Sequence, residues 1–420
     1  MQEEFLHFIW SERLYNTDRL KTVNGEDIYV EDPGMLNELS GPDFHESKVR
    51  IGDTLWAGSV EIHIKSSDWF KHNHEPDKAY GNVILHVVFE HDLIRDGFNE
   101  IPILELKGRI TRNVLNKYGQ LKKEKSKIPC ESLFGSVAES VKYDQLERSA
   151  IQRLQRKAGD IKLIYEKSKG DIDQTFFTVL AKNFGFKWNA PAFEELAART
   201  PYSVIQKYTH DLFKLEALLL GQGGFLPVVS SDPEVNRYSE EYLFLKNKHE
   251  LIPCSIAVWK RGGVRPPNFP EIRLAQLAAF LNQTPRAATD IESWSVAQAL
   301  EIFNVTASDF WNHRYTLSKA SGKKSKKQIA RGSRNNMLIN TVAPFLYFKA
   351  QLWDKPEFSE KAILLQENIP AENNSVISKW KSLHLTMKNA LHSQGALNLY
   401  NELCKKKKCL NCEIGKKILR

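Results

Sequence analysis

Apolar and polar residues alternate most regularly in the first quarter of the chain. Residues 4–15 set Phe5, Phe8, Ile9 and Trp10 on one face at helical spacing, which predicts an amphipathic helix. A turn at Val23-Asn24-Gly25-Glu26 leads into a short strand at 28–30, which Asp32-Pro33-Gly34 breaks. Residues 44–51 and 55–65 are β-type runs joined at Gly52-Asp53, a sequence suited to a tight hairpin turn. After an irregular stretch at 66–82, the apolar run at 82–90 predicts a strand buried on both faces, and 102–107 a further strand.

From about residue 137 the period changes to that of helices. They are predicted at 143–167, 173–184, 192–198, 204–221, 240–247, 272–281, 296–303, 336–353, 356–367, 375–391 and 395–404. The expectation is an α+β chain: a mixed-sheet α/β domain over 1–128, then a mostly helical domain over 137–420. No fixed-period repeat is evident, so a solenoid is not expected.

Composition narrows the class. With 420 residues, 42% hydrophobic and 26% charged, the chain is a folded protein large enough for two domains. The excess of 59 Lys+Arg over 51 Asp+Glu permits a polyanion partner without requiring one. The acidic start Met1-Gln2-Glu3-Glu4 lacks the pattern of a signal peptide, and no apolar run approaches the roughly 18 residues of a membrane span. Five cysteines, three of them near the end, do not form a disulfide framework. A cytoplasmic protein is expected.

The candidate chemistry lies in Val60-Glu61-Ile62-His63-Ile64-Lys65. A period of two puts Glu61, His63 and Lys65 on one strand face. Carboxylate, imidazole and ammonium in a row suit a divalent cation that activates water, provided a second carboxylate is near. Asp43, at the start of the preceding strand, would meet Glu61 across the hairpin.

Pro42-Asp43, a hairpin and then Glu61-Ile62-His63 resemble the signature of the restriction-endonuclease-like nucleases, Pro-Asp followed by (Asp/Glu)-x-Lys. The resemblance implies that Asp43 and Glu61 bind Mg²⁺ or Mn²⁺. His63 stands where that superfamily has lysine, with Lys65 on the same face as a substitute. Glu38 just before the hairpin would be an additional acidic ligand. Asp43-Phe44 with the later Trp69-Phe70-Lys71-His72-Asn73-His74 is also similar to the very-short-patch mismatch-repair branch, which uses histidines near the metal. This implies accessory roles for His72, His74, Asp77 and His86. Gly41-Pro42-Asp43-Phe44, Ser59-Val60-Glu61-Ile62-His63 and the run 83–88 further resemble a bacterial domain-of-unknown-function family that brings no activity with it.

Other readings remain. Glu61, His63 and Lys65 would equally form the wet face of an edge hairpin. His72, His74, Asp77 and His86 resemble a cupin-type ligand set for Fe, Mn or Zn, although a cupin needs more strands than this chain offers.

Two C-terminal features suggest partners. Lys260, Arg261 and Arg265 lie in a Gly/Pro-rich loop before a helix bearing Arg273, a candidate phosphate cradle. Lys323, Lys324, Lys326, Lys327, Arg331 and Arg334 fall in a run free of Asp and Glu, suited to salt-dependent contacts with a nucleic-acid backbone. Cys404-x4-Cys409-x2-Cys412, with lysines between, suggests thiolates holding zinc or an iron–sulfur cluster, with Cys130, Cys254 or His392 as the fourth ligand. The expectation is a metal-dependent nuclease acting on DNA; the alternative is a non-catalytic nucleic-acid-binding or assembly protein on a degenerate nuclease core.

Overall fold

The computed structural model describes residues 1–37, 39–72, 74, 77–93 and 101–420. It is α+β and divides into two units, one of residues 1–145 with 400–420 and the other of 146–399. The expected boundary at 128–137 thus lies inside the first unit. The last 21 residues, read from sequence as part of the helical domain, belong to that unit as well.

The first unit opens with helix α1 (Glu3–Ser11), whose Phe5, Leu6, Phe8, Ile9 and Trp10 are buried. Strands β1 (Ile28–Asp32), β2 (Met35–Leu36), β3 (Phe44–Ile51) and β4 (Thr54–Lys65) follow. The next crossover carries the one-turn helix α2 (Asp68–Lys71) before β5 (Val83–Glu90) and β6 (Ile103–Glu105). The six strands form one sheet in the order β1-β3-β4-β5-β6, with β2 paired to β3. Strands β3 and β4 are antiparallel, whereas β4–β5 and β5–β6 are parallel. Gly52 turns the β3–β4 hairpin at φ 56°, a conformation glycine adopts without steric cost. Val83 to Val88 of β5 are all buried, as the unbroken apolar run predicts for an inner parallel strand. Helix α3 (Arg112–Lys123), absent from the sequence prediction, is started by the Thr111 side chain, which accepts from the Val114 amide.

The second unit is mainly helical around one apolar core that includes Phe177, Phe184, Phe193, Phe280, Phe303 and Phe345. Caps divide two stretches read as single helices. Asp211 accepts from Lys214 N and starts Leu212–Gln222 afresh after Tyr202–Gln206. Asn389 starts Ala390–Asn398 after Ser375–Ser382. In the run from Arg331 to Trp353, a wide π turn at Leu338–Val342 precedes Pro344. Proline cannot donate to the Asn340 carbonyl, which accepts from Asn183 Nδ2 at 3.0 Å instead.

Candidate metal and hydrolytic centre

The hairpin brings Asp43 and Glu61 together as the sequence spacing implied. Phe44 pairs with Val60, and the Asp43 amide donates to Glu61 Oε2 at 3.1 Å. In return the Ile62 amide donates to Asp43 Oδ2 at 2.9 Å. Each carboxylate is therefore fixed by the other strand's backbone. The register slips between Phe44 and Ser47, where Glu46 takes φ 57°. A bulge of this kind beside a site re-aims the side chains next to it. Helix α1 adds His7, whose Nε2 lies 3.3 Å from Asp43 Oδ2.

Four further histidines gather around Glu61. His63 Nε2 and His74 Nε2 lie 3.5 and 3.3 Å from Glu61 Oε1. His63 Nε2 also meets His72 Nδ1 at 3.1 Å, and its Nδ1 meets His86 Nε2 at 2.8 Å. Donor atoms of His63, His72 and His74 all lie within 4.8 Å of one another. The parallel pairing of β4 with β5 sets His86 opposite Glu61, and the crossover folds His72 and His74 back over the sheet. Trp69 packs near His86 and His74, with ring centroids 5.1 and 5.4 Å away, and Tyr80 lies over His74 at 3.9 Å.

Glu61 is 4% exposed and His63 1%, so the edge-hairpin expectation of a wet face does not hold here. The β5 strand and the crossover cover what the alternation alone leaves open. Burial sets the charges. It pushes the Glu61 carboxyl up to about 8, and the neighbouring Asp43 carboxylate adds to the rise. Burial pulls His63 down to about 3, with the imidazoles of His86, His72 and His74 adding to the fall, and brings His86 down to about 3 as well. The contact between His63 and Glu61 is thus one between neutral groups at neutral pH rather than an ion pair. His86 Nδ1 is buried with no hydrogen-bond partner among the described residues. His72 is the exposed member of the cluster.

Other predicted residues go elsewhere. Lys65 is half-exposed and its ammonium faces Asp92 at 3.5 Å, so it does not replace the lysine missing at 63. Asp77 caps the turn Lys78–Tyr80 by accepting from Ala79 N. Glu38 lies outside the described residues. The six-stranded mixed sheet is not the barrel of a cupin, although histidines do converge. His7 was missed by sequence reasoning; its one signal is a polar position inside the apolar run 5–10 of α1.

In the second unit, Arg273 is 4% exposed and held by Asn268, Gln276 and Ser333, so it serves the interior rather than a phosphate. Arg261 pairs with the buried Glu271, and Arg334 with Glu301 at 3.5 Å. Lys327 is also buried, bonding Ser325 and lying over the Tyr315 ring. Lys260, Arg265, Lys323, Lys324, Lys326 and Arg331 remain exposed.

In the first unit, Cys130, Cys404, Cys409 and Cys412 line one pocket. The adjacent lysines do not make them thiolates: burial raises all four thiol pKa values, that of Cys412 to about 11. Cys254 and His392 lie in the second unit.

The fold and site define an α+β protein with a buried histidine–carboxylate cluster on a mixed sheet. The chain belongs to the family described as Protein of unknown function (DUF2851), whose model matches residues 3–375. No curated protein and no solved structure matches it. Among the described residues, no helix is long and apolar enough to cross a membrane.

Proposed function

We propose that the cluster is the centre of a metal-dependent phosphodiester hydrolase, a nuclease built on a restriction-endonuclease-like plan and acting on DNA. The observation that carries the proposal is the convergence of Asp43 and Glu61, across one hairpin, with His63, His72 and His74.

The residues fit a cation. Three imidazole nitrogens within 4.8 Å of one another, beside the Glu61 carboxyl group, form a donor set of the kind that holds a divalent transition-metal ion. Imidazole-rich donors suit Mn, Fe or Zn better than Mg²⁺, which prefers oxygen. His63, His72, His74 and Glu61 would hold the ion, which supplies Lewis acidity and lowers the pKa of a coordinated water. A neutral His63 that donates from Nδ1 to His86 Nε2 turns its Nε2 lone pair toward the ligand set, as metal-bound histidines commonly do. The Ile62 amide orients Asp43 Oδ2, with His7 Nε2 3.3 Å from the same oxygen. Trp69 and Tyr80 keep bulk water from His74 and His86, while His72 stands exposed at the edge of the cluster. The exposed Lys323, Lys324 and Lys326 would add salt-dependent contacts with a phosphate backbone.

The test is incubation with single- and double-stranded DNA and RNA in Mn²⁺, Mg²⁺ or Zn²⁺, beside the Asp43→Ala/Glu61→Ala variant. Metal-dependent cleavage that the double variant lacks is expected. Cleavage unchanged in the variant would remove this cluster as its source. Salt-dependent binding without cleavage would favour the alternative, a binding or assembly protein on a degenerate core, for which the diverted Lys65 is the specific observation.

A further inference from the structure

We infer that Cys130, Cys404, Cys409 and Cys412 hold a [4Fe–4S] cluster that ties residue 130 to the C-terminal segment of the first unit. The site is separate from the histidine cluster, and the inference does not depend on the proposed hydrolase activity.

The sequence offered three candidates for the fourth ligand. The structure brings only Cys130 to the trio: the four cysteines line one pocket with Pro129 and Leu403, and all four lie in the first unit. None is disulfide-bonded, and Cys130, Cys404 and Cys412 are buried. Four inward thiols around a void of about 20 Å³ are an odd arrangement for a packed interior. The void could seat a water by volume, but its apolar and sulfur lining offers few partners for one.

The spacing separates the metal classes. A single tetrahedral zinc bound at about 2.3 Å would draw its sulfurs to about 3.8 Å from one another. Among the described residues, the donors gathered within 4.8 Å of one another are those of His63, His72 and His74; no three of these sulfurs gather that closely. A tetranuclear cluster, with a thiolate at each iron, takes such wider spacing.

The surrounding backbone fits as well. A Cβ on Gly415 would come within 2.1 Å of the Cys409 carbonyl oxygen, so glycine is what lets this turn close over the sulfurs. Lys407 Nζ donates to the carbonyls of Lys122 and Glu124 at 2.6 and 3.0 Å, holding the cysteine loop against the end of α3.

The experiment is iron, acid-labile sulfide and zinc analysis of the full chain purified without oxygen, with visible spectra before and after dithionite. About four iron and four sulfide per chain are expected, with a visible band that bleaches on reduction. Cys130→Ser should lose most of both, and Cys254→Ser should keep them. Stoichiometric zinc in place of iron, or protein free of both metals, overturns the inference on the wild-type chain alone, even if Cys130→Ser fails to fold. Full iron content in a folded Cys130→Ser protein would overturn it too.

Discussion

Glu61 is the residue on which the candidate centre turns. Buried and beside Asp43, it titrates near 8 without metal, so a cation must displace its proton at neutral pH. Affinity of the metal-stripped protein for Mn²⁺ should therefore rise about tenfold per pH unit over the two units below about 8. Glu61→Gln should lower the affinity and flatten that slope; calorimetry across pH measures both. His63 is already neutral in this range and contributes nothing to the slope. His86 holds His63 through a single bond, and His86→Phe should weaken metal binding by about 10–100-fold while the fold persists. Native circular dichroism with unchanged Mn²⁺ affinity in that variant would remove His86 from the site. The opposition of Asp43 and Glu61 was legible in sequence because Gly52-Asp53 fixes the hairpin and a two-residue period fixes the faces. His7 was not legible, since only tertiary packing brings α1 to Asp43. The fate of Lys65 was hidden too, because its partner Asp92 arrives from beyond β5.

At the scale of elements, the site depends on β5 running parallel and close to β4. Gly58 permits that approach: a Cβ there would meet the Asn82 carbonyl oxygen at 2.7 Å and Ile84 Cγ2 at 2.5 Å. Gly58→Ala should force the strands apart, costing about 1–3 kcal/mol in denaturant unfolding and weakening metal affinity. Stability equal to wild type would show that the strands yield without cost. The strands were legible because burial on two faces and the hairpin turn leave direct marks in composition. The breaks in the helical unit were less so. Asp211 and Asn389 act through side-chain caps that a hydrophobic period overrides on paper, and α3 buries only Val114, Tyr118 and Leu121 in an otherwise polar segment whose start depends on Thr111.

At the scale of the molecule, the return of 400–420 to the first unit was illegible, since helical periodicity carries no information about which core a segment joins. In the other unit, Lys157 is partly buried, bonded to Asn340 Oδ1 at 2.6 Å, and the desolvation brings its ammonium down from 10.5 to about 7. Below about 7 both folded and unfolded states carry the proton. Between about 7 and 10.5 only the unfolded chain keeps it, so stability rises with pH, by up to about 1.4 kcal/mol per unit. Lys157→Met should remove that rise from unfolding measured across the range; an identical slope would contradict it. The claim at the centre of this account is that the histidine–carboxylate cluster binds a divalent cation. Mn²⁺ binding to the metal-stripped full chain, followed by electron paramagnetic resonance in wild type and His72→Ala/His74→Ala, tests it most directly. The account predicts one ion per wild-type chain and its loss in the variant; no bound Mn²⁺ in wild type, or equal binding in the two proteins, would contradict it.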